Sequence, residues 1–282
     1  MTPVANWVAQ RGNPVFVREF RTRVRGARSF ALQGLLGVVL AIAMSLFWLV
    51  SASSPYNKPS AADFSRDAFM ILIGVQAVLL PLIAPAMGAG VISLERERQT
   101  LDLLLMTPLP RRSILLGKLA ASLVHQTMVF TGGAPVVAGA CLSMGGVSPA
   151  EIAFCYGFIL LCGFCFGAVG VACSCLFRRT YIAVAVAYLI VMFCMVGSVL
   201  VDALISELAG HYAGPPGSIA LCPPYAVLSF MDTGMDTGLT DSVGLALGVN
   251  VEMWMLAVPV FLILSALAVL VALRALNRAR PT

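Results

Sequence analysis

The sequence predicts an all-α membrane protein with six transmembrane helices, and three observations carry that prediction. Hydrophobic residues make up 60% of the 282 and charged residues only 11%, with a mean hydropathy of +0.94; a soluble domain carries about 25% charged residues. The apolar residues form unbroken runs, and a helix of roughly 20 such residues crosses a bilayer. The basic residues gather between alternate runs, as they do when one side of the membrane retains them. The runs do not alternate polar and apolar, which sets aside the strands of a membrane barrel.

The chain reads as one six-span domain over 1–282. Its first 29 residues are polar and Arg-rich and lead into a full span, so an uncleaved anchor is expected and a signal peptide is not. Asn13 suits an N-cap and Pro14 a first helical position. At about 100° per residue, Phe16, Val17, Phe20, Val24 and Ala27 share one arc, with Arg18, Arg21, Arg25 and Arg28 opposite. This predicts an amphipathic interfacial helix over 14–28, its arginines toward lipid headgroups or a partner. A plain basic juxtamembrane stretch is the alternative, because Arg23 sits close to the apolar arc.

The spans are expected at about Phe30–Val50, Ala68–Leu94, Ser113–Met144, Ala150–Phe177, Tyr181–Leu204 and Val249–Ala275. Pro81 and Pro85 predict a kink in the second. Sixteen of the eighteen basic residues fall on one side of this arrangement, leaving Lys58 and Arg66 opposite with nine of the thirteen acids. Both termini are therefore expected in the cytoplasm of a multi-pass protein of the cell inner membrane. The net charge of +5 is an orientation signal and does not argue for nucleic acid.

Seven of the eight cysteines lie in or beside apolar runs. Cys162 and Cys165 form a C-x-x-C with no His or carboxylate nearby, which predicts packing residues and no metal or redox site. Cys222, alone in an external loop, is left with only an intermolecular or span-end partner.

After the second span, Glu95, Arg96, Glu97 and Arg98 are too polar for the bilayer, while Leu101, Leu104 and Leu105 supply an apolar face. Pro108 forces Thr107 out of the helical region, Pro110 stiffens the turn, and Arg111–Ser113 restart a helix. The expectation is a short helix–turn–helix over 95–112 that offers its charges to a soluble partner, or else an ordinary basic loop. The run Glu95, Glu97, Thr100, Thr107, Pro108, Arg111, Arg112, Gly117 and Lys118 resembles the corresponding segment in permease subunits of the ATP-binding-cassette type-2 exporters. Asp102 stands where that pattern has Glu, and Gln99 where it has Gly. Asn13-Pro14-Val15 with Glu19-Phe20-Arg21 resembles the family's start, and Leu221–Ala226 more loosely its proline-aromatic stretch before the last span.

That resemblance implies two six-span permeases, each holding a cytoplasmic ABC ATPase subunit through a coupling helix. Glu95, Glu97, Thr100, Asp102, Thr107, Pro108, Arg111 and Arg112 would couple to the ATPase. ATP and Mg would sit on the partner, because no G-x-x-x-x-G-K-[ST] occurs here. The remaining partners would be a second permease copy or homologue and membrane lipids.

Gln76, His125 and Gln126, with Thr127 and Thr131, lie at membrane depth and are candidates for a translocation path or for interhelical hydrogen bonds. His125 and Gln126 are adjacent and face different directions, so at most one would line a path. Gly163, Gly167 and Gly170 predict close packing of the fourth span, with dimerisation second. The external region 205–248 carries Pro215-Pro216, Pro223-Pro224 and an apolar run, Tyr225–Met231, suited to a short interfacial or re-entrant helix. Its two Asp-Thr-Gly triplets, at Asp232 and Asp236, are too close together for two protease lobes and read as turns.

Two other functions compete with the permease. A membrane-embedded enzyme needs paired catalytic groups at depth, and the only histidines, His125 and His211, are far apart in sequence. An ion-coupled secondary transporter needs mid-span carboxylates or an inverted repeat, and neither is evident. The substrate is not written in the sequence.

Overall fold

The structure, a computed structural model, describes residues 14–24, 26–53, 60–100, 110–132, 145–201, 204, 222–232, 243–244, 250–251 and 253–278. Helix α1 (Pro14–Val24) precedes α2 (Ala27–Ser53), α3 (Ala61–Ala89) and the five-residue α4 (Ser93–Glu97). Then come α5 (Arg111–Thr131), α6 (Pro149–Leu176), α7 (Thr180–Met192) and α8 (Pro223–Asp232). A two-residue antiparallel pair, β1 (Val243–Gly244) and β2 (Asn250–Val251), leads into α9 (Met253–Arg278). Among the described residues, helices α2, α3, α5, α6, α7 and α9 are the six that are long and apolar enough to cross a membrane.

Several boundaries differ from the sequence expectation. The first helix stops at Val24 and does not run to 28; the chain bends at Gly26 and α2 begins at Ala27. Arg25 and the side chains of Ala27 and Arg28 lie outside the described residues. The second span starts earlier than expected, at Ala61, where Ser60 accepts a hydrogen bond from the Asp63 N–H at 3.2 Å. Residues 133–144, expected to extend the third span, lie outside the described residues. Ser148 and Glu151 form a reciprocal capping box that fixes the start of α6. The sixth span begins at Met253 and not at Val249, because Asn250–Val251 is extended and paired with Val243–Gly244.

Helix α3 runs unbroken through Pro81 and Pro85. Pro85 leaves the Pro81 carbonyl without its helical N–H, and one residue further on the Tyr188 hydroxyl of α7 donates to the Leu82 carbonyl. Helix α7 itself passes through a π-helical segment, Phe193–Gly197.

Helix α6 is the central element, packed by α3, α9, α7 and α5. Its apolar window is 78% buried, against 11% for α2 and 17% for α7, which lie at the periphery. One core is bulky: Phe261 meets Phe158 and Phe166 edge-on, at 6.0 and 5.9 Å between ring centroids. The other, beside α4, is built largely from small residues such as Ala89, Ala172, Ala268 and Ala272. Between α3 and α6 the backbones nearly touch. A Cβ on Gly88 would lie 2.4 Å from the Gly167 carbonyl oxygen, and one on Gly170 2.5 Å from that of Pro85. The glycine stripe thus serves close packing within the chain.

Candidate functional site

The polar segment after the second span is fastened to the bundle. Residues 90–92 form a turn, and α4 follows. The first N–H groups of a short helix need acceptors from outside it; the Ser174 hydroxyl of α6 accepts from the Ile92 and Ser93 N–H groups, both at 2.8 Å. At the other end the Thr100 N–H donates to the Glu95 carbonyl at 2.9 Å and the Gln99 N–H to the Arg96 carbonyl at 3.2 Å. These two bonds make a Schellman cap, whose penultimate residue takes a left-handed conformation that favours glycine. Gln99 is that residue, at φ 57°.

Three consecutive charged side chains of α4 then reach three different spans. Arg96 donates to the Phe177 and Cys175 carbonyls at 3.3 and 3.4 Å, at the C-terminus of α6. A cation there meets the negative end of the helix dipole. Glu97 accepts from the Thr180 N–H at 2.7 Å and the Thr180 hydroxyl at 3.0 Å, at the positive start of α7. Glu95 accepts from Lys118 Nζ of α5 at 2.7 Å, and the same ammonium donates to Glu19 of α1 at 2.7 Å.

Arg23 lies 3.7 Å from Glu19, so two cations and two carboxylates balance. Lys118 is only 2% exposed, and these two carboxylates offset the cost of burying an ammonium there. Burial pulls the Arg23 guanidinium below its usual pKa and Glu19 opposes the shift; arginine starts high enough to stay charged. The second Glu95 oxygen, Oε2, is buried without a hydrogen-bond partner among the described residues.

Of the residues expected to couple to a partner, Glu95, Glu97 and Thr100 are thus gathered at one end of the bundle. Arg111 and Arg112 open α5 at the same end, with side chains outside the described residues. Asp102, Thr107 and Pro108, with the leucine face of 101–105, fall outside the described residues. The sequence reading placed Lys118 in a motif and gave it no role. A lone lysine among the apolar residues of a span was the available signal.

The polar residues at membrane depth separate. Gln76 is fully buried and its Nε2 donates to the Tyr156 hydroxyl at 3.3 Å. His125 Nδ1 lies 3.4 Å from the Ser29 hydroxyl of α2, while Gln126 packs on Gly163 and Gly167 of α6. The two neighbours do face different elements. Cys162 and Cys165 are free, buried thiols, as is Cys155. Cys222 is a free thiol as well.

A family model described as ABC-2 family transporter protein matches residues 14–273, well over half of the chain. The chain belongs to the ABC-2 transporter family. It is a multi-pass membrane component of that family, and among the described residues six helices are long and apolar enough to span the membrane. A search of curated proteins gives no match. In this ABC-2 protein α4 follows the second long apolar helix and is bonded to α5, to the end of α6 and to the start of α7.

Proposed function

We propose that this chain is the permease subunit of an exporter whose ATP is hydrolysed by a separate ABC ATPase, with Mg bound on that partner. The observation that carries the reading is the bonding of α4. A force applied to Glu95–Glu97 reaches α5 through Lys118, α6 through Arg96 and α7 through Glu97 without passing along a flexible linker.

In this reading the segment 95–112 faces the cytoplasm with both termini, α1 lies along the membrane surface, and a second copy or a homologous permease completes the path. ATP closes the ATPase pair, the α4 ends move with it, and the spans exchange one set of contacts for another. Such a change is driven by the difference in affinity of the partner for two arrangements.

Co-expression with an ABC ATPase encoded beside this gene tests the proposal. The expected result is a stable complex with the wild-type chain and loss of the ATPase from Arg111→Ala/Arg112→Ala. A second arm, Lys118→Met, is expected to retain the ATPase while nucleotide hydrolysis no longer responds to transport conditions. Absence of any ATPase from the purified chain with and without nucleotide would overturn the reading.

A further inference from the structure

The lateral face between α3, α5 and α6 holds a recess of about 210 Å³. Leu80, Leu123 and Phe130 form its apolar walls, with Thr127 and Phe164 exposed at its rim. Gln126 also lines it, although the residue is only 3% exposed, and its Oε1 has no hydrogen-bond partner among the described residues. The Thr127 hydroxyl does not serve it, since that group donates to the Leu123 carbonyl of its own helix at 2.9 Å.

The arrangement is built into the fold. A Cβ on Gly163 would lie 2.4 Å from Gln126 Nε2, and one on Gly167 would lie 2.8 Å from Oε1. Two positions of the glycine stripe therefore make room for an amide, where Gly88 and Gly170 make room for backbone. An amide oxygen left unpaired in such surroundings destabilises the fold unless a donor reaches it. A membrane supplies apolar bodies at this depth but few donors, so a molecule bringing its own donor gains most.

We propose that the recess binds a hydroxyl-bearing amphiphile drawn from the bilayer. Its apolar body lies against Leu80, Leu123 and Phe130, and its hydroxyl meets the Gln126 amide. A hydroxyl both donates and accepts, so it satisfies that amide in either orientation. None of the lining residues is charged, which disfavours a charged headgroup. Apolar cavities near 150 Å³ hold benzene, so this recess takes a ring or a chain of about eight carbons. The inference does not rest on the permease reading and needs no ATPase.

The test uses the full chain in lipid nanodiscs and two photoreactive probes, 3-azioctanol and its hydroxyl-free counterpart 3-azioctane, with adducts mapped by mass spectrometry. The alcohol is expected to label peptides carrying Leu123, Thr127 or Phe164 about five-fold or more above the hydrocarbon, the ratio of one buried hydrogen bond. Excess 1-octanol should remove that labelling and n-octane should not. Gln126→Leu should bring the alcohol down to the level of the hydrocarbon. Thr127→Phe, a change at an exposed position, should fill the recess and abolish both signals. Equal labelling by the two probes, labelling unchanged in Gln126→Leu, or no adduct at these residues would overturn the proposal.

Discussion

Lys118 holds two carboxylates from segments 99 and 23 residues away while almost wholly shielded from solvent. Replacing it by methionine keeps the stem and removes the charge, leaving Glu19 and Glu95 facing each other. Breaking a fully buried pair costs about 3–5 kcal/mol; with each glutamate about a quarter exposed, the expected loss is about 2 kcal/mol. Lys118→Met/Glu95→Gln is expected to recover part of that loss, which thermal unfolding of the purified variants would register. Gln99 offers the opposite sign. A side chain in the left-handed region strains the Schellman cap, so Gln99→Gly should stabilise α4 by about 0.5–1 kcal/mol and raise the thermal midpoint. An unchanged or lower midpoint would show that the glutamine side chain makes a compensating contact.

At the scale of elements, the glycines of α6 separate into kinds that substitution can tell apart. Gly170→Ala drives a methyl into the backbone of α3 at Pro85, where nothing can rotate away, and about 3 kcal/mol or more of stability should be lost. Gly163→Ala meets the movable end of Gln126 and should cost less. Gly157→Ala, facing open space, should be nearly neutral on this scale. Folded yield after detergent extraction ranks the three. The spans themselves were legible from the sequence because twenty apolar residues in a row have few other fates. Their ends were less so. The Ser148–Glu151 capping box has a local pattern that marks a helix start sharply, yet hydropathy alone drew the boundary near it and missed the reason. Only Val251 of the extended pair at 250–251 is apolar, and a hydropathy window averages it with the helix that follows and so cannot divide the two. The bonds of Glu97 to Thr180 and of Arg96 to Phe177 join residues about 80 apart, and no local periodicity encodes them. Gln99 was visible only as a departure from a family pattern until its φ gave that departure a physical meaning.

For the whole molecule, the ends of α4 form a fastening rather than a hinge. Moving α4 away from α6 alone would strand the Ile92 and Ser93 N–H groups and the carbonyls of Cys175 and Phe177 together. Rearrangement of this end should therefore be collective. Removing one tie, as in Ser174→Ala, is expected to loosen the segment and speed amide exchange at Ile92 and Ser93, measured by hydrogen–deuterium mass spectrometry, while exchange in α9 stays as it was.

The central place of α6 carries a consequence for how the protein is made. The helix is fourth of the six spans in order of synthesis, and one of its main packing surfaces belongs to α9, the last. A ribosome will have released α6 into the membrane well before its final neighbour exists. The helix is apolar along its whole length apart from its ends, so its unfilled side can rest against lipid during the wait. Assembly of this bundle must then wait until α9 has been made, and nascent chains arrested before α9 should hold their earlier spans in the bilayer yet remain open to protease between them.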